Sequence, residues 1–255
     1  MEINLSKCVF LNNYILSKVH VFFINKNSVM NILTNTIYNT TEIIFTIFIL
    51  YNIIFIVIIM KDTFYYILKF IGIGPFYLLF HPKIVGRENI PRTGGVVLAG
   101  NHTKWMDPVL IICAVRRKVH FLAKIELFKG LGKYFFPACG CIPVNRKIHD
   151  KDALSSAREV LKEGKVIGIF PEGTVNKTDD VTLPFKIGAV KMANDTNSYV
   201  VPFVITGKFR VFGKGIKIEF LEKIKIDDDL TKENETLRNI ISLKLEEENG
   251  YNKED

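Results

Sequence analysis

A histidine and an aspartate with the chemistry of a general base and its partner stand five positions apart. His102 follows the apolar run Val96-Val97-Leu98-Ala99, and Asp107 precedes Pro108. Histidine titrates near neutrality, and a neighbouring carboxylate fixes its tautomer and stabilises the imidazolium that forms. The pair therefore predicts general-base catalysis. A helix cap is the alternative function of the Asp-Pro step, and both functions are compatible at Asp107.

A second polar turn follows another apolar run further along the chain. The segment Pro171-Glu172-Gly173-Thr174 comes directly after residues 166–170, Val-Ile-Gly-Ile-Phe. In open α/β sheets, sites form beyond the carboxyl ends of strands. We therefore expect this turn and His102 to lie in one crevice.

The elements that must position these residues form an α/β pattern from Pro82 onward. Short β-branched runs alternate with segments of helical spacing, which predicts a mixed sheet flanked by helices. The predicted strands are residues 96–99, 119–123, 166–170 and 200–205, and the predicted helices are 152–163, 187–193 and 230–248. Residues 209–211 and 216–220 flank Gly213-Lys214-Gly215, which predicts a hairpin.

Composition limits the class of protein. The chain has 255 residues, is 48% hydrophobic and carries a formal charge of +8, which favours one main globular domain and an anionic partner. It contains no zinc-finger, RNP-type or basic-zipper pattern, so we expect no nucleic acid. Its four cysteines are Cys8, Cys113, Cys139 and Cys141, an irregular set that favours a reduced compartment. Cys139 and Cys141 with His149 lack metal-site spacing, so no metal or cofactor is expected.

The first 59 residues differ in composition from the rest. They contain no Gly, Pro, Ala, Asp or Arg, which is unusual for a folded domain. Two interpretations stay open for this N-terminal extension, residues 1–59. In the first, residues 43–60 form a transmembrane helix of 18 residues, against roughly 20 needed to span a bilayer. In the second, the stretch is translated upstream sequence rich in A/T codons, and synthesis starts at Met60.

Residues 60–82 form a second apolar segment, which we interpret as an interfacial membrane anchor. Its stretch 64–80 is rich in aromatic residues, is interrupted by Gly72, Gly74 and Pro75, and carries Lys69. Aromatic side chains suit the headgroup boundary, and a lysine can extend its ammonium to water. The alternative is a helix packed on the domain's own core. We expect the catalytic domain, residues 83–226, to lie on the cytoplasmic face of the cell membrane, followed by a charged helix and tail at 227–255.

Four sequence blocks together resemble one enzyme family. Residues 101–108, Asn-His-Thr-Lys-Trp-Met-Asp-Pro, resemble the first motif, N-H-x4-D, of the glycerolipid acyltransferases, the family of bacterial 1-acylglycerol-3-phosphate acyltransferases. The further blocks arrive in the family's order: residues 140–146 (GCIPVNR), 170–174 (FPEGT) and 201–203 (VPF). Residues 185–189 (FKIGA) also resemble the stretch that follows the third motif. The resemblance covers roughly residues 96–206.

The resemblance implies transfer of a fatty acyl group to the sn-2 hydroxyl of lysophosphatidic acid, which gives phosphatidic acid for phospholipid biosynthesis. The donor would be acyl-CoA or acyl carrier protein, and His102 would deprotonate the hydroxyl. Arg146 would bind the acceptor phosphate, as guanidinium geometry suits. Glu172, Gly173 and Thr174 match the third motif; Glu172 would hold the acceptor's glycerol or organise the loop.

Departures from the family's pattern leave the acceptor open. Val175 stands where the family commonly has Arg or Ser, so Lys177 or Lys186 would supply a missing phosphate contact. The motifs are shared by enzymes that acylate glycerol 3-phosphate or another lysolipid. A non-catalytic lipid-binding protein of the same fold is the alternative outside enzymes. A covalent acyl carrier at Cys139 or Cys141, activated by His102, is a third.

Overall fold

A computed structural model of the chain describes the backbone of residues 26–145, 148, 150–178, 180–213 and 215–251. Side chains are described in these ranges outside 26–42, 53–61 and 249–251. The chain divides into two compact units, residues 1–58 and 59–255. The described part of the first unit is helical from Lys26 onward and belongs to helix α1 (Lys26–Phe80). The second unit contains the α/β fold.

The second unit is built on a seven-stranded mixed sheet in the order β1-β7-β6-β2-β5-β3-β4. The strands are β1 (Lys83–Val85), β2 (Val96–Gly100), β3 (Val119–Lys124), β4 (Ile142–Val144), β5 (Val166–Ile169), β6 (Tyr199–Thr206) and β7 (Lys217–Phe220). The strands β2, β3, β4, β5 and β6 run parallel, whereas β7 is antiparallel to β6. The five parallel strands therefore end at one edge of the sheet, the carboxyl edge.

Helices cover both faces of this sheet. They are α2 (Asp107–Ala114), α3 (Gly132–Ala138), α4 (Lys151–Lys162), α5 (Gly188–Asp195) and α6 (Leu230–Tyr251). Alternate residues of β2 point to opposite faces: Leu98 packs with α2, and Val97 packs with α4, α5 and α6. Because both faces are covered, β2 and β6 read as nearly continuous apolar runs, as is typical of parallel strands.

The structure confirms the predicted α/β class with a mixed sheet flanked by helices, and each strand and helix predicted from Val96 to Ile205 is present within two residues of its expected bounds. The predicted hairpin is wrong. Residues 209–211 form no strand, and β7 pairs with β6 instead, with Thr206 opposite Lys217. The ring of Phe209 packs on Phe76 and Phe80 of α1, at centroid distances of 6.3 and 5.6 Å. Its apolar character reflects that packing and not a strand.

The end of α1 that lies in the second unit is apolar and is held to the domain. It continues through Gly72, Gly74 and Pro75 as far as Phe80. Residues 62–80 are long and apolar enough to cross a bilayer, and 11% of this window is buried. Phe76 is buried in the core, as the packed-helix alternative expects, and the interfacial prediction stays a prediction. The predicted span 43–60 is helical, but its side chains from residue 53 lie outside the described residues.

Candidate active site

The two candidate catalytic residues are in contact beyond the carboxyl end of β2. The Nδ1 atom of His102 lies 2.9 Å from Oδ2 of Asp107. The Asp107 side chain is fully buried, and that of His102 is 12% exposed. Because a carboxylate accepts at Nδ1, this nitrogen carries the proton and Nε2 is left as the basic atom. The imidazole stacks on Phe170 at 4.0 Å and 14°, which fixes the plane of the ring.

The carboxylate of Asp107 is a hub for the loop that carries His102. Its Oδ2 also accepts from the backbone N–H groups of Thr103 at 2.6 Å and Lys104 at 2.8 Å, and its Oδ1 accepts from the Thr103 hydroxyl at 3.1 Å. Met106, and not Asp107, is the N-cap of α2, and no side chain caps it. Asp107 therefore organises the His102 loop. Thr103 was not singled out from the sequence, although it lies inside the first motif.

Asn101 and Glu172 hold the same loop from the other side. The buried Asn101 side chain bonds both backbone groups of Ile205 on β6, at 2.9 and 2.8 Å. Glu172 is buried as well; its Oε1 accepts from the backbone N–H of His102 and its Oε2 from that of Leu183, both at 3.0 Å. Both oxygens of Glu172 thus accept hydrogen bonds from backbone N–H groups. This carboxylate therefore joins the loop of His102 to that of Leu183. A contact between Glu172 and the acceptor's glycerol stays a prediction.

Helix α6 supports the loop segment that contains Leu183, whose backbone N–H is the second hydrogen-bond donor to Glu172. Thr182 precedes Leu183, and its hydroxyl lies 2.8 Å from that of Ser242 on α6. Arg238 of α6 donates to the carbonyl of Thr182 at 3.1 Å, and Asn234 donates to that of Phe185 at 2.9 Å. Residues 182–185, within the loop that follows the third motif, are therefore anchored on α6.

His102 lines a cavity of about 350 Å³, which we call the His102 cavity. Gly173, Lys186 and Lys191 also line it, whereas Thr174 is exposed and is not among its described lining residues. Gly173 has a φ of 73°, and a Cβ there would lie 2.9 Å from Lys186 Nζ. The left-handed backbone therefore favours glycine at this position, and a side chain there would also have to displace the end of Lys186. Of the two lysines considered for a phosphate contact, Lys186 lies in the cavity and Lys177 does not.

Arg146 and His149 lie outside the described residues, so the predicted role of Arg146 stays a prediction. Asn145 and Ile148 on either side of Arg146 line the His102 cavity. The loop is tied back by Asp150, which accepts from the backbone N–H groups of Asn145 at 2.8 Å and Ala153 at 3.0 Å. These donors lower the pKa of Asp150.

The cysteines are poorly placed for the covalent alternative. Cys139 and Cys141 precede β4, whose first residue Ile142 lies opposite Leu122 of β3, and no hydrogen bond or ring contact in the described part of the chain joins either cysteine to His102. Burial raises the pKa of the Cys141 thiol to about 12 and also raises that of Cys139. A thiol with a raised pKa is almost fully protonated at neutral pH and is a weak nucleophile.

We expect Cys139→Ala and Cys141→Ala, singly and together, to keep acyl-transfer activity within about twofold, because neither thiol is ionised or adjacent to His102. Thiol release and mass spectrometry after incubation with acyl-CoA check this. An acyl group found on either cysteine, or activity lost in a folded double variant, would contradict it.

Comparisons with known proteins agree with this geometry. Residues 81–206 match the model of the family described as Acyltransferase. Residues 81–206 are an acyltransferase-family domain. The chain is 35% identical over 136 residues to a 1-acyl-sn-glycerol-3-phosphate acyltransferase of Borreliella burgdorferi, covering 52% of this chain and 54% of that protein. It is 33% identical over 128 residues to the protein of the same name from Bacillus subtilis, covering 49% and 62%.

The acyltransferase fold is also found in a solved structure. The crystal structure of the 1-acyl-sn-glycerophosphate acyltransferase PlsC from Thermotoga maritima matches with a TM-score of 0.61 and 24% identity, covering 73% of this chain and 80% of that one. At this identity the match confirms the fold. The resemblance recognised in the four motifs is confirmed by the family match, which contains all four. The chain spans 54% and 62% of the lengths of the two curated relatives.

Proposed function

We propose that the protein transfers a fatty acyl group from acyl-CoA or acyl carrier protein to the free sn-2 hydroxyl of lysophosphatidic acid, giving phosphatidic acid. The observation that carries the proposal is the His102–Asp107 contact of 2.9 Å at a cavity that also holds Lys186. His102, whose tautomer is fixed by Asp107, and Lys186, whose positive charge suits an anionic acceptor, thus line the same cavity. The relatives named for this activity support the same choice.

The reaction needs one proton acceptor and no covalent intermediate. The Nε2 atom of His102 takes the proton of the acceptor hydroxyl as its oxygen attacks the thioester carbonyl. The tetrahedral intermediate collapses with cleavage of the carbon–sulfur bond, and the departing thiolate takes the proton from the imidazolium. Asp107 stabilises that imidazolium without accepting its proton. The ester and the free thiol are the products.

The cavity combines an apolar wall with a cationic end. Leu122, Val144 and Met192 supply apolar surface for an acyl chain, and Lys186 and Lys191 supply positive charge. Gly188 also lines the cavity at the start of α5, and this helix has no side-chain cap at its amino end. Uncapped N–H groups and the helix dipole favour an anion there. These features support a phosphorylated acceptor with a hydrocarbon tail.

The phosphate contact is proposed to be shared by Arg146 and Lys186. We expect Arg146→Ala and Lys186→Ala each to raise the KM for lysophosphatidic acid by about 10- to 100-fold, because a hydrogen bond to a charged group contributes about 1.5–3 kcal/mol. The KM for the thioester should change little. Steady-state kinetics with each substrate varied in turn check this, and Lys177→Ala, outside the cavity, is the matched control. A rise confined to the thioester KM would show that these cations bind the donor.

Membrane association is part of the proposal. The apolar helix segment 62–80 and the names of the relatives support it. Acyl-CoA and acyl carrier protein are cytoplasmic donors, so we place the catalytic domain on the cytoplasmic face.

The experiment that tests the function measures release of free thiol from long-chain acyl-CoA by detergent-solubilised protein. It compares reactions with and without lysophosphatidic acid, for wild type and His102→Ala. Release that needs both the acceptor and His102 is the expected result, with phosphatidic acid as the second product. Acceptor-independent release would show a thioesterase. No release with either acyl-CoA or acyl carrier protein would favour the lipid-binding alternative.

A further inference from the structure

Exposed large apolar side chains are concentrated after the carboxyl ends of the parallel strands. Trp105 follows β2 and is 78% exposed, Leu131 and Tyr134 follow β3 at 89% and 72%, and Phe212 follows β6 at 71%. Beyond residue 81, the described exposed hydrophobic residues all lie in connections that leave this edge, except Tyr199 and Leu243. Single exposed apolar residues are ordinary, but a concentration at one edge marks an interaction surface. We call the set Trp105, Leu127, Leu131, Tyr134, Val211 and Phe212 the edge surface.

The edge surface is continuous with the apolar end of α1. The backbone N–H of Phe212 donates to the carbonyl of Leu79 at 2.6 Å. Leu78, next to it, is 64% exposed, and Phe70 further back is 83% exposed. The edge surface thus begins where the outward apolar face of residues 62–80 ends.

Positive charge is interleaved with these apolar residues after β3. Lys124, Lys129 and Lys133 are exposed, with Glu126 as the one acid between the first and last of them. No carboxylate pairs with these lysines in the part of the chain that the structure describes. Lysines beside aromatic and aliphatic side chains suit the boundary of an anionic bilayer, where ammonium groups meet phosphates and the rings of Trp and Tyr lie between the headgroups and the acyl chains.

We propose that the edge surface inserts into the headgroup region of an anionic bilayer, as a membrane contact separate from the apolar helix. A second copy of the chain is disfavoured as occupant, because a symmetric interface would bring two sets of three lysines, with no carboxylate partner among the described residues, into one contact. The His102 cavity lies at the same edge, between the ends of β2, β5 and β4. A lipid could therefore enter the cavity from the bilayer without crossing water.

The chain carries its own reporter for this contact, since Trp105 is its one tryptophan. The full chain is reconstituted in vesicles of phosphatidylcholine and phosphatidylglycerol, with either ordinary or brominated acyl chains. Bromine quenches tryptophan only on contact, so the emission of Trp105 should fall in the brominated vesicles and should fall less in vesicles without phosphatidylglycerol. Leu131→Asp with Tyr134→Asp should restore most of the emission. Leu243→Asp, at a leucine of α6 that is 66% exposed, should leave the quenching unchanged.

Two further variants separate the membrane contact from effects on folding and on catalysis. Lys129→Glu with Lys133→Glu should remove the dependence on phosphatidylglycerol, and His102→Ala should be quenched like wild type, because the contact does not rest on acyl transfer. Equal emission in brominated and ordinary vesicles, by protein that floats with them, would overturn the proposal. So would a dimer in detergent that Leu131→Asp dissociates, because the surface would then bury a second copy.

Discussion

Replacing His102 by alanine should lower acyl transfer by about 10²- to 10⁴-fold, the range that a general base contributes. The loss should appear in kcat, because the acceptor and donor keep the rest of the His102 cavity. The His102 side chain lies beside a cavity at the edge of the sheet and its hydrogen-bond partner is Asp107, so the variant should stay folded, as circular dichroism can check. Thiol release at saturating acyl-CoA and lysophosphatidic acid gives the rate.

A second histidine provides the matched control. His81 is exposed and has a φ of 43°, a left-handed conformation that asparagine adopts readily. His81→Asn should keep wild-type rates. Full activity of His102→Ala would show that His102 is not the base, and the acyltransferase mechanism proposed above would fail.

Asp107→Asn should produce a loss of about 10³- to 10⁴-fold while leaving the loop nearly in place. An amide keeps one acceptor oxygen. With its NH₂ at the Oδ2 position it would face His102 Nδ1 and the N–H groups of Thr103 and Lys104, which are all donors at present. With its NH₂ at the Oδ1 position it would face the Thr103 hydroxyl, and the imidazolium would lose the negative charge that stabilises it. If the amide faces the imidazole as a donor, Nδ1 must accept, and the proton moves to Nε2. The nitrogen that faces the acceptor would then no longer be basic.

The same substitution distinguishes a catalytic role of Asp107 from a purely structural one. Asp107→Asn should also lower the free energy of unfolding by about 1–3 kcal/mol, since a buried donor loses its partner. Chemical denaturation measures the change in the free energy of unfolding, and thiol release measures the rate of acyl transfer. A variant that is destabilised but catalytically normal would show that Asp107 only supports the loop. Asp180→Asn, on an exposed loop, is the control for the chemical change itself.

The sequence predicted the contact between His102 and Asp107 because both the strand end and the five-residue spacing are local features. It also predicted that the turn at Glu172 would lie beside His102, since parallel strands β2 and β5 bring their ends together. The partners of Glu172 were not predictable: Leu183 lies in a loop without a periodic pattern, and its position depends on packing against α6. Asn101, the first residue of the first motif, extends the pairing of β2 with β6 through Ile205, a contact that the sequence did not predict.

The predicted hairpin at residues 209–220 failed for a related reason. An apolar run with a glycine turn predicts a strand pair only if its side chains face a sheet. Here Phe209 faces α1, an element more than a hundred positions earlier in the chain, and no local pattern records that contact. The exposed apolar residues of the edge surface were not predicted from the sequence either, because no local pattern marks them as surface.

The path from Glu172 through Leu183 and Thr182 to Ser242 has a consequence for the order of events during synthesis. Ribosomes make the chain from its amino end, so the loop that carries His102 is complete some 140 residues before Ser242 is added. Until then Leu183 and Thr182 lack the helix that fixes them, and Glu172 lacks one of its two anchors. The nascent protein should therefore form its apolar helix α1 first and gain its catalytic competence last, when α6 leaves the exit tunnel and fixes residues 182–185.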